Sequence, residues 1–342
     1  MNPTSPAPSS FVARSPLDLV ALAPVVIGFH PEDSVVLMSF GGPAATFHAR
    51  ADLALSAEGQ DEVAAELAHA VRANHADRVA VVLYTDDEQV ALSMADRLLR
   101  RLLRLGCEVI EVLRVDDECW FRVPGDGYGG TPYDLRTHPF TAQHVFAGRV
   151  VHRDRAELAD SLVGTDEDDA VAVAQSATRF ADLVLASQAE PDLLCSEAHW
   201  VKRRVRRFLQ EQSSPDVGDA ARLLVLASLI ETRDVAWAQI TRPHALFHVD
   251  LWRGLVRRAP RDLIPGAASL LAFASWQAGD GALAWCALDR ALEVDPDYSM
   301  AHLISDLLGG AVPPQTWEPM SDADLPVLSR SRVGMRRTRP EP

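Results

Sequence analysis

Apolar residues follow two regimes along the chain. Up to about residue 124, short continuous apolar runs alternate with stretches of helical spacing; beyond residue 140 helical spacing takes over. Val25-Val26-Ile27 and Val35-Val36-Leu37-Met38 are β-branched runs of strand length, and they flank the polar turn His30-Pro31-Glu32-Asp33-Ser34. Ser15-Pro16-Leu17-Asp18 predicts a helix start, with Ser15 as cap and Pro16 at the first helical position, and Pro24 predicts its end. After Gly41-Gly42-Pro43 the chain is expected to return from Ala45 to Leu53 as a hairpin partner.

Residues 59–74 carry Val63, Leu67, Ala70 and Val71 at helical spacing, and 88–105 predict a second amphipathic helix that stops at Gly106. Between them Arg78 to Tyr84 is an apolar run suited to a strand covered on both faces, ending at Thr85-Asp86-Asp87. Glu108 to Val115 and Glu118 to Val123 predict two more strands around an Asp116-Asp117 turn. Two of these connections are too short for crossovers, so the sheet is expected to be mixed. The fold class is an α/β N-terminal domain with a mixed sheet, followed by an all-α, tetratricopeptide-like helical domain.

Gly125 to Phe140 is a Gly/Pro-rich loop, read as a lid or linker with Tyr128 and Tyr133 folding over the seam. Beyond it, Arg149-Val150-Val151 is a brief strand, and helices are expected at 154–162, 167–187, 196–210, 217–240, 243–258, 261–277, 280–294 and 297–309. The divisions are a disordered leader at 1–10, the α/β domain at 11–140, a helical connecting region at 141–215, the helical domain at 216–312 and a disordered Arg/Pro tail at 318–342.

Leu270 to Pro296 resembles one tetratricopeptide repeat, with Leu271 and Ala272 in the first helix, Gly279 at the turn, and Ala284, Leu288 and Ala291 on the second helix. A shift of 36 residues overlays Pro260 on Pro296 and Trp252 on Leu288, suggesting a degenerate earlier copy with Pro243 in place of Gly279. Trp237, Trp252, Trp276 and Trp285 fall at packing positions. The whole chain resembles an actinobacterial family known as domain of unknown function 4192. The likeness rests on Leu19 to Pro24, Gly28 to Ser34, Ala147 to Val151 and the Gly279 to Pro296 unit. It implies a cytosolic bacterial protein of α/β plus helical build and carries no activity with it.

A net charge of −15 argues against a nucleic-acid binder or a membrane-surface protein. Cys107, Cys119, Cys195 and Cys286 are far apart, which reads as isolated thiols in a reducing cytoplasm. No apolar run is long enough to span a membrane, and the Pro/Ser-rich start lacks the pattern of a signal peptide.

The candidate polar site is His30, Glu32, Asp33 and Ser34, together with Asp86 and Asp87 at a strand end, where α/β sheets commonly bind ligands. These could supply a base, paired carboxylates and a hydroxyl, or oxygen ligands for a divalent cation. Equally, Pro-Glu-Asp-Ser is ordinary turn chemistry. Lys202, Arg203, Arg204, Arg206 and Arg207 form a candidate anion-binding face, or pair with the chain's own carboxylates such as Asp166 to Asp169. Neither a nucleophile elbow nor a phosphate-cradling glycine loop is present.

The leading expectation is a non-enzymatic binding or regulatory scaffold that takes a protein partner through its helical domain and the α/β seam. The rival is a metal- or acid/base-dependent enzyme built on the 30–34 turn with Asp86 and Asp87. It requires those carboxylates to share one pocket. Cofactor and oligomeric state are left open.

Overall fold

The computed structural model describes residues 11–41, 47–125, 129–146, 148–186 and 192–328. The expected leader at 1–10, Tyr128 in the glycine-rich loop, Ala147 and the tail at 329–342 lie outside the described residues.

Helix α1 (Pro16–Ile27) begins at a complete capping box, in which Ser15 Oγ accepts from Asp18 N at 3.2 Å and Asp18 Oδ2 accepts from Ser15 N at 3.0 Å. It runs through Pro24, so Val25-Val26-Ile27 is its last turn and not a strand. Pro24 forfeits one helical hydrogen bond, but Gly28, at φ +89°, provides a left-handed cap and donates its N–H to the Pro24 carbonyl at 2.8 Å.

The strands predicted between residues 34 and 123 form. β1 (Ser34–Ser39), β2 (His48–Asp52), β3 (Arg78–Tyr84), β4 (Glu108–Val115), β5 (Cys119–Arg122) and the short β6 (Thr131–Pro132) make one mixed sheet in the order β2-β1-β3-β4-β5-β6. β3 and β4 run parallel, and the remaining neighbours are antiparallel. α2 (Ala57–Ala73) links β2 to β3, and α3 (Glu88–Arg104) is the crossover from β3 to β4. Strand alternation then divides the apolar residues. Val35, Leu37, Val79, Val81 and Leu83 face α2 and α3, whereas Val36, Met38, Ala80, Val82, Leu113 and Val115 face α1 and the helical region. A bulge in β4 leaves Ile110 outside the register, so Val109 and Val112 turn to the same side.

Beyond the sheet, α4 (Pro139–Phe146) packs on α1, and α5 (Arg155–Asp160), α6 (Glu167–Ala186) and α7 (Leu193–Glu211) lead into the helical region. The expected strand at 149–151 does not form. Val150 is largely exposed, and among the described residues the segment meets the sheet side through His152, in a single parallel bridge to Phe29. His30 N donates to His152 O at 3.0 Å and His152 N to Gly28 O at 2.8 Å.

The helix expected at 217–240 is two, α8 (Val217–Ser228) and α9 (Ile230–Trp237), because Leu229 is extended and the buried Thr232 hydroxyl donates to the Leu226 carbonyl. α10 (Ala245–Val256), α11 (Ile264–Ala278), α12 (Gly281–Val294) and α13 (Ser299–Gly309) complete the bundle. α11 is apolar on all sides and buried from Ile264 to Gln277, as the central post of a helical core must be. It packs against α12 across the left-handed Gly279. The earlier copy does not form an equivalent hairpin: α9 packs on α7 and α8, and α10 packs on α11, after a proline-started 3-10 turn at Arg242–His244.

The chain is also ordered into packing beyond residue 318, contrary to expectation. Trp317 stacks on Trp237 at 5.4 Å, and Leu325, Val327 and Leu328 are buried in the core. Of the four tryptophans expected inside, Trp285 lies at the surface, 38% exposed. Among the described residues no helix is long and apolar enough to cross a membrane.

Two tests follow from this packing. A Cβ on Gly266 would stand 2.2 Å from the Ala227 carbonyl oxygen, so Gly266→Ala should push α11 off α8 and cost about 1–3 kcal/mol by denaturant unfolding. Burial of His248 lowers its pKa to about 4. The unfolded chain therefore binds the proton first, from near pH 6.5, so stability is full above that pH and falls as pH drops toward 4. The loss from this one group approaches about 3 kcal/mol. Melting temperatures across this window should show the slope; burial also lowers the pKa of His48 to about 4, so His248→Gln should reduce the slope by about half and the His48→Gln, His248→Gln double variant should remove most of it.

Candidate functional site

Four segments end at one place. The turn after α1, the C-terminal ends of β3 and β4, and the 133–141 stretch surround a cleft of about 710 Å³. Its apolar wall includes Val20, Pro24, Val115 and Leu135, and its polar groups include His30, Glu32, Asp33, Asp86, Asp116, Asp117 and Asp134. The 133–141 stretch is held over α1 by His138, whose Nε2 lies 3.2 Å from Asp18 Oδ1, and by Phe140, which meets Phe11 edge-on at 5.0 Å. Asp18 therefore caps α1 with one oxygen and anchors the outer wall of the cleft with the other.

The strand ends are fixed by Arg114. Its guanidinium is buried over the Phe121 ring at 3.8 Å, and Nη1 reaches the carbonyls of Thr85 and Asp86 at 3.2 and 3.4 Å and Asp116 Oδ2 at 3.2 Å. One cation thus binds the end of β3 to the end of β4. Asp116 is fully engaged, since its Oδ1 also accepts from Glu118 N and Cys119 N at 3.1 and 2.7 Å. Tyr133 donates its hydroxyl to the Asp116 carbonyl at 2.9 Å; burial first, then Asp117 and Asp116, push its pKa up, so it stays neutral.

Tyr84 is different. Its hydroxyl is enclosed yet has no hydrogen-bond partner among the described residues, and burial drives its pKa well above the ordinary phenol value.

Of the residues singled out from sequence, His30, Glu32, Asp33 and Asp86 line this cleft. Partial burial lowers the pKa of His30, which leaves it neutral at pH 7. Asp33 stands at φ +40°, a left-handed position in which its carbonyl accepts from Leu53 N at 2.7 Å. Ser34 and Asp87 do not belong to the cleft. Ser34 is buried in β1, its hydroxyl donating to the Glu32 carbonyl at 2.5 Å and accepting from Arg50 Nε at 2.9 Å. Asp87 caps α3, accepting from Gln89 N and Val90 N at 2.8 and 3.1 Å. Among the described residues no group of three or more His, Cys, Asp or Glu side chains is arranged to hold a metal ion.

Tyr84, Arg114, Asp116 and Asp117 were not singled out as site residues, whereas Tyr133, named with the glycine-rich loop, lines the cleft. The signal for the first four lay in register: Ser34 pairs with Tyr84 and Tyr84 with Val115, so residues just past these strand ends converge with the 30–34 turn.

The five cations of α7 do not share a face. Arg204 is buried against Asp219 at 2.5 Å, Lys202 pairs with Asp322, and Arg207 pairs with Glu211 at 2.8 Å. Arg203 and Arg206 are exposed. The acidic run at the start of α6 is used elsewhere: Asp169 takes Arg258, at 2.6 and 2.9 Å.

A family model described as domain of unknown function (DUF4192) matches residues 16–315. No curated protein and no solved structure matches the chain.

Removing Arg114 tests whether one side chain organises the strand ends. Arg114→Ala should lower unfolding stability by about 3 kcal/mol, because it strips a buried charge-assisted network. Asp87→Ala should cost only about 1 kcal/mol, the value of a helix cap. Denaturant titration of both variants checks the difference.

Proposed function

The chain belongs to the DUF4192 family, and from that premise we propose that it is a non-enzymatic binding protein whose recognition site is this cleft and whose ligand is cationic. The observation that carries the reading is the charge around one opening. Among the described residues Glu32, Asp33, Asp86 and Asp117 make no side-chain hydrogen bond or ion pair, although Arg153, paired with Asp154, acts on Glu32 electrostatically, and the cation at the rim, Arg136, is taken by Asp134 at 2.8 Å. With His30 neutral, the cleft keeps a surplus of negative charge at pH 7, focused by its apolar wall.

The helical region then serves as the rigid back of the site. The α11–α12 pair is read as its tetratricopeptide-like unit, and α11 is too deeply buried to offer a groove of its own. In this reading a protein partner engages the cleft rather than the repeat. Four unpaired thiols favour a reducing compartment, the cytoplasm of an actinobacterium in this reading.

Titration of the full chain with small organic cations and anions under thermal denaturation tests the proposal. A cation at 100 times its Kd should add about 2.7 kcal/mol to stability, a rise of several degrees. The gain should shrink with salt and be lost in the Glu32→Gln, Asp86→Asn double variant. Stabilisation by anions alone, or turnover of phosphoester, ester or glycoside substrates that Glu32→Ala abolishes, would replace this reading with the acid/base enzyme.

A further inference from the structure

We infer that the helical region carries a peptide-docking recess, filled in the monomer by the chain's own residues 313–328, and that the same segment of a second copy fills it when two chains exchange. This recess is separate from the cleft. Its base is aromatic: Trp237 at the end of α9 and Phe273 and Trp276 on α11 receive Trp317. That ring stacks on Trp237 at 5.4 Å and meets Phe273 and Trp276 edge-on at 5.0 and 6.5 Å. Further along, Leu325, Val327 and Leu328 are buried in the same core, and Lys202 of α7 takes Asp322. The closure of α11 to solvent at Phe273 and Trp276 is in part the work of this segment.

The segment is held differently from the helices around it. Its regular structure is two 3-10 turns, Pro314–Thr316 and Asp322–Asp324. Its backbone hydrogen bonds close short turns: Trp317 N donates to Pro314 O at 3.3 Å, Asp324 N to Ser321 O at 3.0 Å and Leu328 N to Leu325 O at 3.0 Å. Inserted side chains make the attachment to the bundle, while Glu318, Pro319, Ser321, Ala323 and Pro326 between them are exposed. Bound peptides sit in this manner, with a few anchors in pockets and the intervening residues in water. Contacts of this kind open at lower free energy than a core helix. The recess also lies within residues 16–315, the part of the chain that the family model matches, and Trp317 to Leu328 lie outside it.

The root of the segment is pinned independently of its tip. Asn74 Nδ2 donates to the Ala311 carbonyl at 3.0 Å, and Trp276 Nε1 donates to the Val312 carbonyl at 3.0 Å. Ala311 stands at φ +49°, a left-handed position that alanine rarely takes, and Pro313-Pro314 follow with fixed φ. A short, strained joint ahead of a segment anchored by side chains is an arrangement from which identical segments exchange between copies. Charge fits the same occupant. Residues 313–328 carry Glu318, Asp322 and Asp324 and no cation, and Arg206, exposed one helical turn from Lys202, extends the cationic side of α7. Exchange restores the same contacts in each copy, so chain concentration against the effective concentration of the tethered segment decides it.

The probe is a fluorescently labelled synthetic peptide of residues 313–328, titrated with the full chain and followed by anisotropy, with near-ultraviolet circular dichroism as the check on folding. The wild-type chain should bind it weakly, because its own segment occupies the recess. The Trp317→Ala chain should bind it at least about tenfold more tightly, and the peptide should raise the melting temperature of that variant. Should Trp317→Ala fail to fold, Asp322→Asn in the chain, at a half-exposed side chain, weakens the internal segment instead and should tighten the peptide about threefold. Trp317→Ala placed in the peptide should weaken it about tenfold. Sedimentation of the wild type at rising concentration should show a dimer that excess peptide disperses. No binding, equal affinity for wild type and variant chains, or indifference to Trp317→Ala in the peptide overturns the recess. Peptide binding to a wild type that stays monomeric at every concentration overturns the exchange between copies.

Discussion

The whole structure depends on the central sheet being buried on both sides. β3 has no polar face to give to solvent: Val79, Val81 and Leu83 are closed by α2 and α3, and Ala80 and Val82 are closed by α1 with the helical region behind it. Each side is a hydrophobic cluster, and the second is continuous from Val36 in β1 to Leu288 in α12 and Leu325 near the end of the described chain. The sheet and the helical region share this second cluster. At about 25 cal/mol per Å² of apolar surface, neither half would keep its stability with that shared face in water.

This constraint also explains the position of the cleft. A strand covered on both faces can present functional groups only at its ends, and here the C-terminal ends of the parallel pair β3 and β4 meet the turn that brings α1 into β1. Gly28 directs that turn, Arg114 ties the two strand ends together, and Asp18 anchors the outer wall through His138. None of these is exposed chemistry. They are buried or structural interactions whose effect is to place other side chains.

Much of the sheet could be read from local pattern, because a continuous β-branched run such as Val79 to Leu83 has few alternatives. Val25-Val26-Ile27 has the same composition and became a helix turn. Its fate was decided by a cap at each end, Ser15 and Gly28, and the second of these depends on a backbone angle that composition does not reveal. The site was legible in part for a similar reason. Glu32, Asp33 and Asp86 were found from their turn and strand-end positions, yet Asp87 next to Asp86 is consumed by a helix N-terminus and Ser34 next to Asp33 turns into the sheet. Adjacent residues on a pleated or helical path point in opposite directions, so a run of polar letters overstates the site. Tyr84 and Asp117 were missed because they join the site only through pairing across strands. Arg204 was misplaced because a run of cations on one helix also wraps around it.

The bridge between Phe29 and His152 has a consequence for how the chain is made. Gly28 and His30 exchange backbone hydrogen bonds with His152, so a segment synthesised early is completed by one synthesised more than a hundred residues later. While the ribosome is still producing the helices, the nascent sheet must hold an uncovered apolar face through Val36, Val82 and Val115, in the state most open to wrong association. Native contacts of such long sequence separation form slowly. The turn at 28–30 therefore acquires its last backbone partners only once a segment more than a hundred residues downstream has been made.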